Sequence, residues 1–159
     1  MAKRKQNGEM LINKAKWSKS SVEKVKYEVE IIELLEKISD DESKWEPIES
    51  PKFNLGGVEM SIRVHPKSEG GVIGVFLHSY SDQDQTCSAT IKTPAGVEVN
   101  WERKIIEANQ SCGSSRFLTH GEYEKWAKKN GDVLKLDVSV SLYTKEMVTT
   151  DVDGWTRTR

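Results

Sequence analysis

The sequence is short of nearly everything that marks a stapled, metal-held or membrane-spanning protein. It has two cysteines in 159 residues, Cys87 and Cys112, with no Cys-x-x-Cys spacing. That excludes a zinc finger, a RING and a disulfide framework, and leaves reduced thiols in a cytosolic or nuclear protein as the expectation. No apolar run approaches the roughly 20 residues that cross a bilayer as a helix. The opening stretch, MAKRKQNGEMLINK, has neither an apolar core nor a small-residue cleavage site, so it does not read as a secretory signal. Its KRK matches a nuclear address only loosely, and a cytoplasmic location is expected, with the nucleus as the alternative. Excess charge is missing too. The formal net charge is −1, which argues against a general nucleic-acid binder.

Catalytic patterns are equally scarce. The three histidines, His65, His78 and His120, form no cluster with cysteines or carboxylates at metal-ligand spacing. Asp82 and Asp84 lack the rest of a calcium loop, and no phosphate-binding Gly-x-x-x-x-Gly-Lys-Ser/Thr run exists. A Cys112–His120 pair would imitate a thiol nucleophile and base, but nothing supplies an orienting third group or an oxyanion motif. Neither an enzyme nor a cofactor nor a metal is expected.

What the chain does have is alternation. In Ser50–Pro66, Phe53 and Leu55 alternate with polar neighbours, and Gly56-Gly57 turns the chain. Val58, Met60, Ile62 and Val64 then alternate with Glu59, Ser61, Arg63 and His65 until Pro66 stops the run. That is a half-buried strand. Val72–Tyr80 is a dense apolar run of strand length, with Gly74 expected where another backbone approaches closely. Cys87, Ala89 and Ile91 alternate, and Val97–Ile106 gives a further strand. Val133–Tyr143 alternates through Leu136, Val138, Val140 and Leu142 and is expected to be the last strand. Ala108–Ser115 reads as a small-residue loop, Arg116–Leu118 as a short strand, and Thr119–Lys129 as a helical turn.

Val22–Ile38 supports two periods. Val22, Val25, Val29 and Ile32 fall at helical spacing, while Val25, Tyr27, Val29 and Ile31 alternate with Lys26, Glu28 and Glu30. β-Branched and aromatic content favours a strand over roughly 24–31, followed by a short helical turn at Leu34–Ile38. Ser39–Glu49 reads as a loop whose Trp45 packs at the core edge. Strands about ten residues apart with turn signals between them indicate an antiparallel sandwich. The expected domain spans 21–143. A disordered basic arm precedes it over 1–20, with six Lys/Arg against one Glu, and a tail follows over 144–159.

Four motifs in order resemble a MATH domain, the meprin and TRAF homology domain. They are Ser50-x-x-Phe53-x-x-Gly56-Gly57; the strand ending Arg63-Val64-x-Pro66; Phe117-Leu118 before the last loop; and Asn130-Gly131-Asp132 followed by the closing strand. The match runs from about Val22 to Tyr143. The resemblance implies an all-β, eight-stranded antiparallel sandwich of two four-stranded sheets with one or two short helical turns. It also implies a protein-interaction module that binds short extended peptides of partner proteins in a shallow groove, as an adaptor in signalling or the ubiquitin pathway.

Mapped by order, the groove residues are Arg63, Phe76, Lys104, Ile106, Ser111, Cys112, Gly113 and Ser114. Some branches of the family carry Asp-Trp-Gly where this chain reads Ser111-Cys112-Gly113, and Ala89 stands where some members have Phe. A polar groove lined by Ser111, Ser114 and Arg63 is therefore expected. No membrane or nucleic-acid partner is expected, and the oligomeric state is not legible. The alternative is a sandwich lectin, for which Trp101 after Asn100 is the one candidate stacking platform.

Overall fold

The structure is a computed structural model that describes residues 14–39, 46–151 and 155–158, with side chains described over 22–38 and 46–144. Among these residues lie ten strands and two helices. They are β1 (Lys14–Ile32), α1 (Leu34–Ser39), β2 (Ile48–Glu49), β3 (Phe53–Leu55), β4 (Val58–His65), β5 (Val72–Ser79), β6 (Gln85–Lys92), β7 (Glu98–Ile106), β8 (Ser111–Thr119), α2 (His120–Asn130), β9 (Val133–Asp151) and β10 (Trp155–Thr158). One five-stranded sheet runs β1-β9-β6-β7, with β10 also on β9; the other runs β2-β4-β5-β8, with β3 also on β4.

The all-β antiparallel architecture is the one expected, but the strand count is not. Ten strands replace eight, and each sheet has five strands rather than four. Two of the differences lie in the expected arm and tail. β1 begins at Lys14, inside the expected arm, while β9 continues to Asp151 and is followed by β10, inside the expected tail. β10 folds back on β9 from Trp155↔Asp151 to Thr158↔Val148. The expectations for residues 1–13 and for Trp45 lie outside the described residues.

The chain divides into two compact units, one of Glu23–Leu142 and one of Met1–Val22 with Tyr143–Arg159. The core belongs to the first. In β4, Met60, Ile62 and Val64 are fully buried while Arg63 and His65 are half-exposed. In β9, Leu134, Leu136, Val138, Val140 and Leu142 are buried while Lys135, Asp137 and Ser139 between them are exposed. Period-two alternation of this kind puts one face of each sheet inside. It also decides β1: Val29 and Ile31 are buried and Glu28, Glu30 and Ile32 exposed, so the strand period wins over the helical one.

The helical turn expected over Thr119–Lys129 is the 11-residue α2, and its start is written in the sequence. The Thr119 hydroxyl accepts from Glu122 N–H at 3.1 Å, and the Glu122 carboxylate accepts from Thr119 N–H at 2.9 Å. This reciprocal box satisfies two N–H groups that a helix start otherwise leaves unpaired. Asp132 then ties three elements together. Its Oδ1 accepts from the buried Tyr123 hydroxyl at 2.7 Å and from Leu35 N–H at 3.0 Å.

The loop expected over Ala108–Ser115 is a turn only as far as Gln110; Ser111 onward is strand β8. Serine and glycine have low strand propensity, but propensity here yields to pairing with β5. The close backbone approach expected at Gly74 lies elsewhere. A Cβ on Gly74 would stand 2.6 Å from the Ser68 side-chain oxygen. It is Gly113 whose missing Cβ faces backbone, at the Val75 carbonyl and 2.7 Å from Phe76 Cα.

Candidate functional site: the outer face of the β4–β5–β8 sheet

Residues opposite each other in an antiparallel pair share a face. The register therefore lays out rows across the sheet. One row reads Glu49–Arg63–Phe76–Gly113, through β2, β4, β5 and β8. The next reads Ser61–His78–Ser111, and His65 pairs with Gly74 on the other side. All of these point away from the core, because their neighbours Ile62, Val64, Val75 and Leu77 point into it. The outer face thus carries an arginine, two histidines, a phenylalanine and two serines, with Tyr80 just past the end of β5.

The groups are joined. Ser61 Oγ donates to Glu49 Oε2 at 2.6 Å, and Arg63 Nε donates to the same oxygen at 3.3 Å. Ser61 Oγ also lies 3.2 Å from the Tyr80 hydroxyl. His78 Nδ1 is 2.8 Å from Ser111 Oγ. The His78 ring meets Tyr80 edge-on at 4.6 Å, and His65 meets Phe76 edge-on at 4.9 Å. The Lys52 ammonium stands 4.2 Å from the centre of the Tyr80 ring, within cation–π range. The opposite face of the other sheet is unlike this one: Ser88, Thr90, Lys92, Glu98 and Asn100 give it an ordinary solvated surface.

The electrostatics follow from the packing. Burial, and then the positive charge of Arg63, push both His65 and His78 below the usual histidine value, while Glu49 pulls His78 weakly the other way. The hydrogen bond from Ser61, followed by Arg63, holds the Glu49 carboxyl below its usual range despite some burial. The two rings are therefore neutral at pH 7. Between the lowered folded value and the ordinary value near 6.5, the unfolded chain binds more protons than the folded one. Stability is fully present above that ordinary value and falls as the pH drops through the window below it. The urea midpoint is expected to be lower at pH 5 than at pH 7.5, and His65→Gln should flatten part of that slope. A midpoint independent of pH over this range would contradict the assignment.

The eight residues expected to form the groove divide. Arg63, Phe76, Ser111 and Gly113 share the outer face in two adjacent rows. Cys112 and Ser114 stand opposite Leu77 and Val75 and so turn toward the core side. Lys104 and Ile106 lie on β7, in the other sheet. Ile106 is 2% exposed and has no surface to offer, whereas Lys104 is exposed and its charge opposes, without cancelling, the upward push of burial on the Cys112 thiol. Strands β7 and β8 are the terminal strands of their sheets, each paired on one side only.

His65, His78, Tyr80 and Lys52 were not anticipated. Their signal was available in part, since His65 and His78 occupy the outward positions of strands whose inward positions are apolar.

Other candidates are placed differently. His120 Nε2–H donates to the Pro66 carbonyl at 2.6 Å, at the start of α2. Burial pushes the Cys87 thiol up to about 11 and raises Cys112 as well, so neither is an activated nucleophile at neutral pH. Trp101 is 6% exposed and packs in the core, which removes the platform on which a glycan-binding reading depended. Among the described residues no group of three or more His, Cys, Asp or Glu side chains could hold a metal ion, and no helix is long and apolar enough to cross a membrane.

Compared with known proteins, the chain matches no family model, and no curated protein matches it.

Proposed function

We propose that the chain is a peptide-recognition module, and that short extended segments of partner proteins lie across the outer face of β4–β5–β8 toward the free edge of β8. The row Arg63–Phe76–Gly113 is the observation that carries this reading. It offers a guanidinium, an aromatic face and a side-chain-free stretch of backbone in a line that ends at an unpaired edge. An edge strand supplies N–H and C=O groups to an added strand, and the side chains beside it read alternate residues of the ligand. The raised thiols of Cys87 and Cys112 favour binding over thiol catalysis. The MATH resemblance supports the same reading and, with it, an adaptor role in signalling or the ubiquitin pathway and a cytoplasmic location.

A few net hydrogen bonds of about 0.5–1.5 kcal/mol each, less the cost of ordering the ligand, correspond to affinities of roughly micromolar or weaker. Peptides selected by display against the purified protein provide the probe. Arg63→Glu is expected to weaken the selected peptide at least about tenfold in calorimetric titration, a loss of about 1.4 kcal/mol. The thermal midpoint should move little, because the Arg63–Glu49 ion pair is partly exposed and such pairs contribute at most about 1 kcal/mol. Unchanged binding by Arg63→Glu would place the ligand on another surface. Bulky residues at Ser114 are expected to disturb packing instead of binding, since Ser114 faces inward.

A further inference from the structure

We infer that the opposite rim of the sandwich, between β1 and β2, is a second docking groove, built for an extended partner segment that alternates basic and apolar residues. β1 ends one sheet and β2 lies at the end of the other, so each is paired on one side only. Between them runs a groove of about 400 Å³ along Tyr27–Ile32 on one wall and Ile48–Pro51 on the other. One end is closed where the Tyr27 hydroxyl donates to the Pro51 carbonyl at 3.0 Å. Lys37 of α1 also lines the groove.

Three features fix the occupant. The first is charge: Glu28, Glu30 and Glu49 line the groove against the single Lys37. Glu49 is already engaged by Ser61 and Arg63, so Glu28 and Glu30 are the carboxylates that face a ligand. The second is an apolar surface beside the charge. Val29, Ile31 and the half-buried Ile48 line the groove on the side facing away from Glu28 and Glu30, where the alternate, apolar residues of the ligand would lie. The third is length. The six residues from Tyr27 to Ile32 extend about 20 Å at 3.3 Å per residue, so a ligand of five or six residues would match the wall. Strand addition at an edge supplies the main-chain bonds, and alternate Lys or Arg side chains reach the glutamates. The groove shares Glu49 with the outer face of β4–β5–β8, but Arg63 and Phe76 do not line it.

The test is fluorescence anisotropy of two labelled peptides at low salt, Lys-Val-Lys-Ile-Lys-Val and Glu-Val-Glu-Ile-Glu-Val, on the full chain. The basic peptide is expected to bind at least about tenfold more tightly, and added salt should erode the difference. The double variant Glu28→Lys/Glu30→Lys should abolish the preference, and Glu28→Gln/Glu30→Gln should weaken it with no change in thermal midpoint. Arg63→Glu should preserve or enlarge it, since that change releases Glu49. Equal binding of both peptides, binding of neither, or retention by the charge-reversed protein would overturn the inference. Loss on Arg63→Glu would also overturn it, by assigning the basic peptide to the outer sheet face. Sedimentation of the same samples supplies the last outcome: a dimer dissolved by the lysine substitutions would make the occupant a second copy and overturn the partner assignment.

Discussion

Gly113→Ala is expected to lower the urea midpoint by the equivalent of about 2–3 kcal/mol with an unchanged slope, although it adds one methyl group at an exposed position. The added carbon would stand against the Val75 carbonyl oxygen, 2.7 Å from Phe76 Cα and 3.0 Å from the Val75 carbonyl carbon. These are backbone atoms of a central strand and cannot swing aside as a side chain would. Relief requires β8 to move off β5, and the hydrogen bonds between them to lengthen. The site is also irregular already. The pairing jumps from Ile73↔Leu118 to Val75↔Ser114, so β8 carries extra residues there and its path is fixed by close contact. Gly121→Ala is the internal control. It lies in the first turns of α2 with nothing within 4 Å of the new carbon, and should stabilise the protein by about 0.5–1 kcal/mol. A Gly113→Ala protein as stable as its parent would mean that β8 is free to shift.

Asp132→Ala is expected to destabilise the protein by about 2–4 kcal/mol, from a residue that contributes nothing to the apolar core. The substitution leaves two donors without an acceptor, the hydroxyl of the fully buried Tyr123 and the N–H of Leu35. Each unsatisfied donor costs about 1–3 kcal/mol. Burial, reinforced by Asp132, already pushes the Tyr123 phenol well above its ordinary range, so it stays a proton donor and cannot escape by ionising. Asp132→Asn keeps an oxygen at the shared position and should recover most of the loss. Tyr123→Phe in the Asp132→Ala background should lose less than the two single effects together, because the same bond is removed twice. Additive losses in that cycle would show that the Tyr123–Asp132 contact is not what holds α2 in place.

Most of the sheet architecture could be read from alternation alone, because each strand presents one face to a core that tolerates little polarity. Met60–Val64 of β4 and Leu134–Leu142 of β9 are the clearest cases: every second residue is a buried apolar one and the intervening ones are polar. The same logic decides Val22–Ile32 in favour of a strand, with the helix α1 after it. It failed at Ser111–Ser115, where serines and a glycine carry no periodic signal and the strand is maintained by its neighbour. It also missed the far ends of β1 and β9, which extend beyond the alternating stretches into segments that look like polar arms.

The candidate site was legible only by position. Arg63 and Phe76 are thirteen positions apart, and the register that sets them opposite each other depends on the length of the turn between β4 and β5. The MATH resemblance puts Cys112 and Ser114 beside Ser111 in one groove loop, but here they belong to strand β8, where successive residues lie on opposite faces. His78 and Tyr80 fall within the apolar run Val72–Tyr80, which conceals that they form one side of a polar network.

β7 carries its own irregularity. Its register against β6 slips between Cys87↔Lys104 and Ala89↔Trp101, and Arg103 within the slip has φ of 49°. The Arg103 N–H turns to Ser88 Oγ at 3.0 Å. A strand interrupted in this way offers an incoming neighbour only two short straight segments, Glu98–Trp101 and Lys104–Ile106, set at an angle by the added twist. The molecule can thus leave this terminal strand uncovered at high concentration without templating the sheet-to-sheet growth that ends in fibres.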